Sequence, residues 1–167
     1  MLRNVTQPER NEDAAVDLLR HKRPMMTVES AKGILDKSED EVLGLIECGA
    51  LVAWNISTPR RVRREFRILT KSVGMAQARP TGALDHPLFI PEPEIFMLLM
   101  PHVRVTVTGV EIQHILNCGS THVIRLVEAR CLAQAPGSDY HRGPHGSPRI
   151  QRASLEEFLR TRLEGAV

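Results

Sequence analysis

Arginines carry most of the chemistry in this sequence. Arg60, Arg61, Arg63, Arg64, Arg67 and Lys71 crowd one short stretch, with Glu65 the one acid among them. Guanidinium groups at this density bind phosphate oxygens through paired N–H donors and position a protein without reading sequence. A second basic group holds His141, Arg142, His145, Arg149 and Arg152. A third set, Ser120, Thr121, His122 and Arg125, with Arg130 just beyond, has helical spacing. Arginine reads guanine bidentately, and serine or threonine bonds either a base edge or a phosphate. These residue types point to recognition of a polyanion, with double-stranded DNA as the expected partner.

Bond-making chemistry is not indicated. Cys118, His122, Cys131, His141 and His145 are metal-ligating types, but the Cys-x-x-Cys pairs of a structural zinc site are missing. Cys118 and His122 would also straddle a helix start. The sequence holds no phosphate-binding Gly-rich loop, nucleophile elbow or His-Glu-x-x-His, and its carboxylates cluster at helix starts. The expectation is a non-enzyme with no metal and no cofactor.

The elements that would position the donors occur twice. Thr27 aligns with Thr108, 81 positions on, and without a gap Ile34, Leu35, Val42, Leu45, Glu47 and Leu51 fall on Ile115, Leu116, Val123, Leu126, Glu128 and Leu132. A repeat within so short a chain implies two small units rather than one domain. In the first copy Thr27 is set to cap a helix over 28–35. Ser38 and Glu41 form a capping box, Val42, Leu45 and Ile46 make the buried stripe, and Cys48-Gly49 stops the helix. In the second copy Thr108 and Glu111 form the box. Ile112, Ile115 and Leu116 then face inward, followed by Val123, Leu126 and Val127. Two short helices joined by a tight turn make a helix-turn-helix.

Each pair is followed by hairpin and helix signals. Leu51–Ile56 reads as a strand, Ser57-Thr58-Pro59 as a turn and Arg60–Arg63 as a returning basic strand. A helix is then predicted over Arg64–Lys71 with Phe66 and Leu69 inward. In the second copy Leu132–Ala135 lead out and a longer loop runs from Pro136 to Pro148. Arg149–Arg152 return, and Ser154-Leu155-Glu156-Glu157 is read as a third capping box. Lead helices are predicted over 14–20 and 94–100. The expected fold is therefore mainly α with small β wings, an α+β chain of two tandem winged helix-turn-helix modules. The first spans 11–71, a Pro- and Gly-rich linker 72–93, and the second 94–163.

The run Thr27-Val28-Glu29-Ser30-Ala31, Leu35, Ser38-Glu39-Asp40-Glu41-Val42 and Leu45-Ile46-Glu47-Cys48-Gly49-Ala50-Leu51 resembles the MerR/excisionase superfamily of DNA-binding modules. Ser154-Leu155-Glu156-Glu157-Phe158-Leu159 is similar to that family's closing helix. The resemblance covers about two thirds of the chain. It implies a second helix in the major groove, Glu39–Glu47 in copy one and Ser120–Arg130 in copy two, with the wing on the flanking backbone or minor groove. Copy one departs from the pattern. Leu43 and Gly44 stand where relatives carry basic residues, and Glu39, Asp40, Glu41 and Glu47 would be repelled by phosphates. Copy two is the expected reader. The site residues expected to touch DNA are Ser120, Thr121, His122, Arg125, Arg130, Arg60, Arg61, Arg63, Arg64, Arg142, Arg149 and Arg152.

Composition sets the remaining bounds. The chain has 167 residues, 42% hydrophobic and 4% aromatic, so its cores must rest on aliphatic side chains. Net charge is only +2, so the distribution of charge matters more than its sum. Three irregularly spaced cysteines and no recognisable signal peptide point to a reducing cytoplasm, with the protein at the nucleoid. The apolar run Ile95–Met100 is too short to span a membrane. The roles that the resemblance implies are transcription regulation, recombination or DNA architecture. The alternative is a protein-interaction or packaging adaptor resembling small terminase subunits, with self-association or a protein partner through the lead helices.

Overall fold

Thr27 ends a strand and opens a helix in one step. Strand β1 (Met25–Thr27) passes directly into α1 (Val28–Leu35), and the extended Thr27 accepts the Ser30 N–H on its hydroxyl at 3.1 Å. Asp36, in left-handed conformation (φ 51°), turns the chain out of α1. Ser38 then starts α2 (Glu39–Glu47) through the expected reciprocal cap: its hydroxyl accepts from Glu41 N at 3.3 Å, and Glu41 accepts from Ser38 N at 2.8 Å. Gly49, at φ 77°, takes the chain away. It continues through β2 (Ala53–Asn55), β3 (Phe66–Leu69) and α3 (Thr70–Ala78). Next come α4 (Glu92–Leu99), β4 (Thr106–Thr108), α5 (Gly109–Ile115), α6 (Ser120–Glu128), β5 (Arg149–Gln151), α7 (Arg152–Thr161) and β6 (Leu163–Glu164).

The computed structural model describes residues 23–59, 61–79, 87–138 and 148–164. Those residues form a mixed α/β chain with seven helices and two small antiparallel sheets. One sheet has the order β1-β3-β2-β6 and the other pairs β4 with β5. The lead helix expected over 14–20 lies outside the described residues, as do Arg60, His141, Arg142 and His145.

Backbone hydrogen bonds recur at a near-constant offset. Leu69 N donates to Val52 O, as Gln151 N does to Ala133 O; Thr70 N donates to Pro24 O, as Arg152 N does to Val105 O. Val52 N is held by the Ser72 hydroxyl at 3.2 Å and Ala133 N by the Ser154 hydroxyl at 2.7 Å. The partners Met25↔Leu69 and Thr27↔Arg67 reappear as Thr106↔Gln151 and Thr108↔Arg149. The offset is 81 before the β2–β3 loop and 82 after it, so the two loops differ by one residue. Val42 and Val123 occupy equivalent buried places, and so do Leu45 and Leu126.

Four local expectations are corrected. The helix placed over 64–71 is strand β3 up to Leu69, and the helix begins only at Thr70. Phe66 and Leu69 suit one helix face, but pairing with Met25–Thr27 satisfies the backbone here as a strand, burying Arg67, Ile68 and Leu69 in succession. The returning strand expected over 60–63 is irregular over its described residues 61–63, and α3 runs nine residues from Thr70, past position 72 where the linker was expected to begin. Ser154 caps nothing on its own helix: α7 starts at Arg152, and the Ser154 hydroxyl is spent on Ala133 N. It ties the exit from the helix pair to the closing helix, as Ser72 does in the first copy.

Contact density divides the described chain into two units. One takes in residues up to Ala53, Arg67–Phe89 and Glu164; the other holds Trp54–Phe66 and Ile90–Leu163. The division does not follow the repeat boundary, because the β2–β3 segment of the first copy lies with the second copy's helices. Unit one buries Met25, Ala31, Val42, Ile46, Leu51, Ile68 and Val73. Unit two buries Trp54, Ile112, Leu116, Val123, Leu126, Leu132, Ile150 and Leu155. Each such aliphatic side chain contributes about 1.5–3 kcal/mol on leaving water.

Candidate nucleic-acid interface

Helix α6 differs from its counterpart α2 in charge at the start. The first turn of α2 carries Glu39, Asp40 and Glu41, whereas that of α6 has no acid and is entered from Gly119 without a side-chain cap. Ser120, Thr121 and Arg125 are exposed on α6, so two hydroxyls and a guanidinium face solvent from one helix. Arg130 follows, exposed and left-handed at φ 59°, where the first copy has Gly49 at φ 77°.

His122 is not on that exposed side. It retains 9% of its surface, its Nε2 lies 2.9 Å from the Ile56 carbonyl oxygen, and Nδ1 is 3.8 Å from a Glu65 carboxylate oxygen. Because a carbonyl only accepts, Nε2 carries the proton in this contact. Helical spacing placed His122 beside Arg125, but the β2–β3 segment within the same unit covers it. No short-range signal in the sequence pairs position 122 with 56 or 65.

The segment itself is locally braced. Asn55 Oδ1 accepts from Ser57 N at 3.1 Å and from the Ser57 hydroxyl at 2.6 Å, a side-chain turn. Ile56 N donates to Glu65 O at 2.9 Å, and Arg61 N to Thr58 O at 3.0 Å. Arg162, on the chain after α7, donates to Ser57 O at 2.9 Å. Beyond these braces Arg61, Val62, Arg63 and Arg64 are exposed, with Arg61 paired to Glu65 at 2.9 Å. Arg67, by contrast, is buried in β3.

The second basic group is less available. Arg149 is exposed on β5. Arg152 is half-buried, pairs with Glu156 at 2.7 Å and donates to the His102 carbonyl. Arg60 and Arg142 lie outside the described residues. Among the described residues, no group of three or more His, Cys, Asp and Glu side chains is placed to hold a metal ion. No helix among them is long and apolar enough to cross a membrane.

Capping also sets the charge of α2. The Ser38 backbone N–H, then its hydroxyl, then Lys37 hold the Glu41 carboxylate down to about 2, so it remains ionised. The Thr108 backbone N–H acts first among the groups that lower Glu111 in α5, helped by the Thr108 hydroxyl and Arg104. A carboxylate lowered in the folded state contributes stability fully present above its unfolded pKa and lost as pH falls through the folded value. The Glu41 contribution is therefore expected to fade between about pH 4.5 and about pH 2. Melting curves of wild type and Glu41→Gln over that window are expected to converge as pH falls; a constant gap down to pH 2 would contradict the cap's role.

No protein-family model, curated protein or solved structure matches the chain.

Proposed function

We propose that the protein binds double-stranded DNA through two tandem winged helix-turn-helix modules of the MerR/excisionase kind, without catalysis. It would act at the nucleoid as a transcription regulator or a recombination or architectural factor. The observation that carries this reading is the joining, within one unit, of the acid-free first turn of α6 and the arginine-bearing β2–β3 segment, hereafter the first wing. Ser120, Thr121 and Arg125 are then base and phosphate donors, and Arg63 and Arg64 are backbone contacts. Arg130 supports it. A non-glycine residue held left-handed costs about 1–2 kcal/mol, and the equivalent position in copy one avoids that cost with Gly49. Such strain at an exposed arginine suits a site of function.

The first copy contributes less to DNA contact in this reading, since Glu39, Asp40, Glu41 and Glu47 are exposed on α2. The same acidic face favours the second reading, a module that has turned to protein contact. Replacing Arg63 and Arg64 together by glutamine separates the two. Binding to every duplex should weaken alike, and the dependence of log K on log salt should become shallower by about 2. Unchanged binding at low salt would remove the wing from the interface.

A further inference from the structure

We propose that His122 is a positioning residue that fastens the first wing beside α6, so that duplex is gripped by one composite surface. That surface combines Thr121 and Arg125 from the second copy with Arg61, Arg63 and Arg64 from the first. The proposal rests on the DNA-binding reading and adds what fixes the two basic sets relative to each other. His122 sits in the first turn of α6 next to the exposed Thr121, yet it is buried. Its Nε2–H reaches the Ile56 carbonyl at 2.9 Å. Ile56 N in turn bonds Glu65 O, so the imidazole grips the wing where its two arms are registered. The other ring nitrogen faces the Glu65 carboxylate at 3.8 Å, and the same carboxylate holds Arg61 at 2.9 Å. One imidazole thus links the helix that would read bases to the wing backbone at Ile56, beside the Glu65 carboxylate that orients Arg61. Holding the wing before binding avoids the entropy of ordering it on the DNA.

Without the imidazole, the Ile56 carbonyl loses its partner and the wing is released from α6, while Arg125 stays in place. The test is salt-dependent titration of the full chain on one duplex, comparing wild type, His122→Ala, Arg63→Gln/Arg64→Gln, and all three changes together. The double arginine variant is expected to lose about 2 from the salt slope. His122→Ala alone should lose a similar amount while keeping its base preference, and the combined variant should lose little more. Additive losses, or a wild-type slope in His122→Ala, overturn the positioning role while leaving DNA binding intact. No wild-type binding at low salt overturns both. A second measurement does not depend on how His122 variants fold. A photo-crosslinking residue at Val62, fully exposed on the wing, and one at Thr121 should label the same stretch of duplex, within about ten base pairs. Labels on separate stretches overturn the composite surface.

Discussion

Trp54→Ala is expected to destabilise the second unit by about 3–5 kcal/mol, the usual cost of emptying a buried tryptophan site. The ring is 1% exposed, and its indole N–H donates to the Leu159 carbonyl at 2.9 Å. Truncation therefore leaves a cavity and an unpaired buried carbonyl together. Trp54→Phe keeps most of the packing and loses the hydrogen bond, so its expected cost is about 1–2 kcal/mol. Urea unfolding followed by circular dichroism measures both, since the chain's single tryptophan cannot report on its own removal. A midpoint shift at unchanged slope is the expected signature. A negligible shift for alanine would mean that the first wing does not pack into this unit, and the interface would have to be redrawn.

Arg125→Ala is expected to relax base preference at one position by about 1–3 kcal/mol if its guanidinium reads a guanine bidentately. Neutralising Glu39 should leave binding unchanged or strengthen it, because it removes a carboxylate from the acidic start of α2. The measurement is relative affinity for matched and mismatched duplexes. A silent Arg125→Ala together with loss of specificity at Glu39→Gln would make the first copy the reader.

Local chemistry made part of this architecture legible. The Thr27, Ser38 and Thr108 caps, the Gly49 exit and the stripes through Val42 and Val123 depend on residues a few positions apart, and each was readable from spacing. The ungapped repeat carried the equivalence of Leu45 and Leu126 as well. What could not be read depended on distant partners. Phe66–Leu69 is a strand because Met25–Thr27 lies beside it. Ser154 is a tie because Ala133 N needs an acceptor. His122 is buried because Ile56 and Glu65 arrive from far along the chain. In each case a pairing across the fold outweighed a plausible local pattern. The arginines of the wing were visible as a group, but their delivery to the second copy was not.

The most direct test of the central claim is a titration of the intact chain with random duplex and with duplex enriched by repeated selection, from about 50 to 200 mM salt. The expected result is binding to both, with log K falling linearly in log salt, and tighter binding to the enriched sequence by three orders of magnitude or more. No binding to either duplex at about 50 mM salt would contradict it.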